Sequence, residues 1–179
     1  MITSEQPRTD GQAAPGAAVT KIVVGLEEIC VSRDPAVVLS CLGLGSCIGI
    51  SAYDPVSRVA GMAHIVLPDD GGKAKDGPPG KYATTGVPQL IQDMQQAGAL
   101  KSRIAIKIAG GARIFANVKE GSLMDIGFRN LAAVKQALDD NNLRLQGENT
   151  GGSHGRSLLL YVASGLTRVT SAMHEPVDL

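Results

Sequence analysis

Apolar positions along this chain fall into short runs, and the period within each run predicts its element. "KIVVGLEEICV" (Lys21–Val31) reads as a first strand, and "PAVVLSC" (Pro35–Cys41) as a second, rich in β-branched residues. "CIGISAY" and "RVAGMAHIVLP" read as a third and fourth, joined by "DPVS". In that turn Pro presets φ and Asp accepts a local backbone hydrogen bond. Val87, Leu90, Ile91 and Met94 fall at i, i+3, i+4 and i+7 and predict a helix from about Tyr82 to Ala97. Pro88 implies a kink there or a late start. "RIAIKIAGG" alternates as a strand, and "RNLAAVKQALDDNN" (Arg129–Asn142) reads as a second helix with Leu131, Val134 and Leu138 on one face. "SLLLYVASGLTRVTS" reads as a closing hairpin about Ser164-Gly165. Seven or eight strands, grouped at both ends, with two or three helices predict a mixed α/β (α+β) domain rather than a doubly wound one.

The polar stretches divide the chain. Residues 1–19 read as a disordered tail, 20–173 as a single domain, and 174–179 as a flexible C-terminus. "DDGGKAKDGPPGK" (Asp69–Lys81) has the composition of a mobile loop, and "TGGSHGR" that of a glycine loop. The first twenty residues contain no apolar segment of the secretory kind, and no run approaches the roughly 18 apolar residues of a membrane span.

Composition narrows the function. Hydrophobic residues make up 44% of the chain but aromatics only 3%, so Val, Ile, Leu, Ala and Met must build the core. Basic and acidic residues both number 17. A formal charge of zero argues against general nucleic-acid binding or a polybasic membrane role, because both need a positive excess. Three cysteines without CxxC spacing point to free thiols in a reducing compartment, hence a cytoplasmic protein.

The chemistry concentrates in "SCLGLGSCIGISAYDPVSRVAGMAHIVLPD" (Ser40–Asp69). With a turn symmetric about Pro55-Val56, Asp54 pairs with Ser57 and opposed residues sum to 111. Cys47 and His64 also sum to 111, which sets them across the ladder on one face, with Cβ atoms about 4.5–5.5 Å apart. A slip of one residue would send His64 to the other face. The preceding "GLGS" lets backbone approach closely, and successive N–H groups near Gly45, Ser46 and Cys47 can receive an oxyanion. Thiol, imidazole and oxyanion donors are the parts that cysteine nucleophilic catalysis requires. The competing reading of Cys47 is a small buried hydrophobe beside glycine.

Other candidates carry less. His154 is the rival base, but its loop lacks the Lys and the strand-to-helix context of a phosphate loop and reads as structural or as a substrate edge. "GGAR" (Gly110–Arg113) reads as a tight turn near the site, His174 as solvated, and Cys30 as core. A zinc site from Cys41, Cys47 and His64 has no evident fourth ligand, and neither a metal nor another cofactor is expected.

The pieces "LGLGSCIGI", "YDP", "GMAHIVLPD", "KYA", "IKIAGGARIF", "IGFRN" and "TGGSHGR", in this order and spacing, resemble the CheD family of chemoreceptor glutamine deamidases. The resemblance covers about Val23 to Ser171. It implies a three-layer α/β/β fold with mixed sheets, as in certain cysteine-hydrolase toxins, with Cys47 as nucleophile and His64 as base. It implies protein-glutamine deamidation of receptor helices, a CheC-type phosphatase as partner, and neither nucleic acid nor membrane insertion. The family's third catalytic position is commonly Thr and falls here on Cys41, a poorer hydrogen-bond partner. Ser40 should point to the other face and so cannot replace it. The expected consequence is a slower enzyme, or one whose His64 is held by a backbone carbonyl. Phe128 also stands where the family often has a charged residue, for which we have no mechanistic account. A regulatory binding module with weak or lost catalysis is the alternative, and a thiol acyltransferase shares the same chemistry.

Overall fold

A computed structural model describes residues 19–69, 71, 77–114, 117–119 and 121–179. Residues 1–18 of the tail expected over 1–19, and six of the thirteen residues of the loop expected over Asp69–Lys81, lie outside them. In chain order the elements are β1 (Thr20–Val23), β2 (Ile29–Ser32), β3 (Val37–Leu44), β4 (Ile48–Asp54) and β5 (Val59–Ile65). There follow α1 (Ala83–Gln96), β6 (Ala105–Gly110), α2 (Ile126–Asp140), β7 (Leu145–Thr150), β8 (Arg156–Tyr161), β9 (Thr167–Ser171) and β10 (His174–Asp178).

The strands form two mixed five-stranded sheets. One has the order β1-β3-β8-β9-β10, with β1 and β3 parallel; the other has the order β2-β5-β4-β6-β7, with β6 and β7 parallel. Side-chain alternation divides the core in two. Ile48, Ile50, Ala63 and Ile65 face α1 and α2, whose Val87, Leu90, Met94, Val134 and Leu138 cover them. Met62, Ala60 and Tyr53 face the other sheet and meet Leu39, Cys41, Leu158 and Leu160. The helices, the β4–β5 sheet and the β3–β8 sheet are thus three layers, the α/β/β arrangement that the resemblance implied.

The central strands β4 and β5 are buried at every position, and small residues let their neighbours close on them. A Cβ on Gly49 would crowd Leu44, Leu158 and Cys41, and one on Gly61 would strike Leu90 and Met94 of α1. A hydroxyl pair, Ser51 with Thr167 at 3.0 Å, joins the two sheets inside this layer.

Several local expectations need correction. The single strand expected over Lys21–Val31 is two, β1 and β2, in different sheets, separated by a turn in which Glu27 adopts φ 66°. The helix over Pro88 does not start late; it opens at Ala83 with Pro88 inside. Helix α2 begins at Ile126, three residues before Arg129, because Asp125 caps it by accepting the Phe128 N–H at 3.1 Å. The C-terminus expected to be flexible pairs with β9 as β10, tied by Arg168–Asp178 at 2.6 Å and by the Leu179 N–H to Thr167 O at 3.0 Å.

Candidate active site

The β4–β5 hairpin carries both candidate catalytic residues, and its register differs from the expected one. Asp54 pairs with Val59, not Ser57, and Gly49 rather than Cys47 lies opposite His64. The connection is four residues long because the Asp54 carboxylate accepts the N–H groups of Val56 (3.0 Å) and Ser57 (3.4 Å), and Arg58 takes φ 53°. The displacement amounts to two residues, so side-chain parity is kept and both residues still face the layer between the sheets. Cys47 sits just before β4, half-buried against the inter-sheet cluster, while His64 is 5% exposed.

His64 is fixed from the backbone side by the turn between β1 and β2. Its N–H donates to Glu28 O at 3.0 Å, and its carbonyl accepts the Glu27 N–H at 3.1 Å. Its Nδ1 lies 3.2 Å from Val24 O. A carbonyl can only accept, so Nδ1 carries the proton and the neutral ring presents Nε2 as its basic nitrogen. Burial pushes the imidazole below its ordinary pKa, opposed by the Val24 hydrogen bond and by the nearby Glu28 charge. The Cys47 thiol is pushed up, chiefly by burial, with its own backbone N–H acting in the other direction. Thiol and imidazole are therefore neutral at rest. They share a face but no hydrogen bond joins them in this structure.

The third expected position behaves differently. Cys41 is fully buried and its Sγ reaches Ala63 O at 3.9 Å, not the imidazole. Burial and the neighbouring Cys47 push its thiol up to about 12, so it stays protonated. Ser40 turns away, donating to Ile22 O at 3.1 Å. Val24 O, a backbone carbonyl, holds the ring instead.

The turn Gly45-Ser46-Cys47 is held by its carbonyls. Gly45 O accepts the Ala112 N–H at 2.7 Å, Ser46 O accepts Asn130 Nδ2 at 2.8 Å, and Cys47 O accepts the Gly111 N–H at 2.8 Å. In a trans peptide the N–H points opposite to the carbonyl, so the N–H groups of Ser46 and Cys47 are turned away from these supports. The segment "GGAR" is thus a backbone brace for this turn. Gly110 takes φ 112° where any Cβ would run into the Cys47 carbonyl. Asn130 is the residue that sequence reasoning did not assign; its only signal was its place in "IGFRN".

Beside Ser46 opens a groove of about 730 Å³, lined by Ala112, Ile114, Leu123, Met124 and Gly127 among others. Ile114, Leu123 and Met124 are exposed apolar side chains there. His154 is elsewhere. It stacks on His174 at 4.2 Å between ring centroids, in a separate pocket near β10, and the structure does not bring it to Cys47. Among the described residues no group of three or more His, Cys, Asp or Glu side chains is placed to hold a metal ion. No helix among them is long and apolar enough to cross a membrane.

A family profile described as CheD chemotactic sensory transduction matches residues 66–171. The chain is 45% identical over 149 residues to the probable chemoreceptor glutamine deamidase CheD of Symbiobacterium thermophilum, covering 83% of this chain and 90% of that protein. It is 43% identical over 145 residues to the chemoreceptor glutamine deamidase CheD of Thermotoga maritima, covering 81% and 88%. A solved structure, the Bacillus licheniformis hypothetical protein YfiH, gives a TM-score of 0.44 at 14% identity over 68% of this chain and 49% of that one, too slight to bear on the fold.

Proposed function

The chain belongs to the CheD family, and on that premise we propose that it converts glutamine side chains of chemoreceptors to glutamate, with Cys47 as nucleophile and His64 as base. The observation that carries the chemistry is the common face of Cys47 and His64, with Nδ1 committed to Val24 O and Nε2 left as the basic nitrogen. A cytoplasmic site of action follows from the receptor helices it would modify.

His64 Nε2 takes the Cys47 proton as the sulfur attacks the carboxamide carbon; a C–S bond forms and the carbonyl π pair moves to oxygen. The Ser46 and Cys47 N–H groups receive the oxyanion. Collapse breaks the C–N bond, and the imidazolium gives its proton to the departing ammonia. Water, deprotonated by the now neutral His64, adds to the thioester. The C–S bond breaks, the thiolate recovers its proton, and glutamate remains. The apolar groove beside Ser46 would take the flank of the receptor helix that presents the glutamine.

The test is ammonia release from a purified receptor cytoplasmic fragment. Wild type should release ammonia and Cys47→Ala should not, with the fold retained; release by Cys47→Ala would remove the assignment. A second reading, a weakly active module that docks on a CheC-type phosphatase, is favoured by the Cys41 thiol, whose hydrogen bond goes to Ala63 O rather than to the imidazole. It is the reading left if folded wild type and Cys41→Thr are both silent on a suitable receptor.

A further inference from the structure

We propose that Asn130 is a positioning residue for the deamidation proposed above: by gripping the Ser46 carbonyl it aims the Cys47 N–H at the oxyanion. Asn130 is fully buried, and its side-chain NH2 donates to two carbonyls, Ser46 O at 2.8 Å and Val66 O at 2.9 Å. Both partners can only accept, so the amide group can face them only with its nitrogen. Residue 46 enters β4 and residue 66 leaves β5. Asn130 therefore fastens the open end of the hairpin, where Cys47 and His64 stand.

The Ser46 carbonyl and the Cys47 N–H belong to one peptide unit and point in opposite directions. Holding the carbonyl toward α2 fixes the N–H away from it. The flanking carbonyls of Gly45 and Cys47 are held by backbone N–H groups of Ala112 and Gly111, which no substitution other than proline removes. The middle peptide alone depends on a side chain. Helix α2 reaches it because Gly127, one turn earlier, packs where a Cβ would strike the carbonyls of Gly111 and Ala112. Asn130 Oδ1 is buried without a partner. That orphan acceptor weakens the fold and brings nothing to the core, whereas the NH2 serves the nucleophile turn.

The experiment compares Asn130→Leu, Asn130→Asp and a control, Val134→Ala, which loosens α2 without touching the Ser46 peptide. The readouts are kcat and KM on a receptor cytoplasmic fragment, and the 15N resonance of the Cys47 amide, which reports hydrogen bonding at the preceding carbonyl. Asn130→Leu should lose about 100-fold in kcat with KM within about twofold, the signature of a donor needed only in the transition state. The Cys47 resonance should shift. Asn130→Asp, whose carboxylate would face two carbonyls, should lose as much and keeps the test alive if Asn130→Leu does not fold. Val134→Ala should keep its kcat. Unchanged kcat in a folded Asn130 variant, or an equal loss in Val134→Ala, would overturn the proposal. A silent wild type would count against deamidation instead. The amide resonance would then decide on Asn130, an unmoved resonance overturning its role.

Discussion

At the scale of the residue, burial sets the chemistry of the pair. It holds the Cys47 thiol above, and the His64 imidazole below, its ordinary value. Neither is poised as an ion pair, so in the proposed mechanism proton transfer accompanies attack on bound substrate. The rate of Cys47 alkylation by iodoacetamide should therefore rise with pH, with a midpoint above the ordinary thiol value of 9.0. A midpoint below that value, followed by mass spectrometry of the Cys47 peptide, would show a thiolate at rest and contradict this account. Cys41 offers a second test. Its thiol makes only a weak contact of 3.9 Å with Ala63 O, next to His64 in β5. A hydroxyl donates more strongly, so Cys41→Thr should raise kcat by holding that strand more firmly; a fall in kcat with the protein folded would refute this. Spacing put Cys47 and His64 on one face, but two residues out of register, since Gly49 is the residue opposite His64. Asn130 was not legible, because a lone Asn in a helix gives no signal until the turn it braces is seen in space.

At the scale of the element, the β4–β5 hairpin shows how turn chemistry sets register. Parity was readable from the apolar pattern; the loop length was not. Asp54 decides it, because one buried carboxylate accepts Val56 and Ser57 within the turn and also Leu100 N–H and Arg103, at 2.9 and 2.7 Å. Reach to a distant guanidinium is invisible in a local reading. Those donors hold the Asp54 carboxyl well below the usual carboxylate range, the Arg103 hydrogen bond foremost. Its folded value is depressed, so its stabilisation is present above the unfolded carboxylate value and lost as pH falls through the folded one. Asp54→Asn should cost about 2–3 kcal/mol at neutral pH, the range for a charged hydrogen-bond partner, and the loss relative to wild type should shrink on acidification. Denaturant unfolding at both pH values measures it; a difference independent of pH would contradict the linkage.

At the scale of the whole molecule, the layers were legible where strands carry apolar signal and illegible where they do not. Strands β3 to β6 and the closing hairpin announced themselves by Val, Ile, Leu and Ala. The edge strand β7, "LQGENT", carries one large apolar residue, and β10, "HEPVD", is exposed throughout and contains Pro176. Both exist because a neighbouring strand offers them backbone partners, which local pattern cannot reveal. Edge strands can still serve the site: the turn between β1 and β2, each at a sheet edge, holds His64. The inter-sheet layer should be sensitive. Leu158 is fully buried, opposite Cys41 in the ladder and beneath Gly49. Leu158→Ala should cost about 2–5 kcal/mol by leaving a cavity under the catalytic face. Unfolding that is unchanged would mean the two sheets do not pack as described.

The most direct test of the account is a peptide map of a receptor cytoplasmic fragment after incubation with wild type and with Cys47→Ala. Mass spectrometry should find defined glutamines converted to glutamate by the wild type and none by Cys47→Ala. Equal conversion by the two proteins would contradict the claim that Cys47 is the nucleophile.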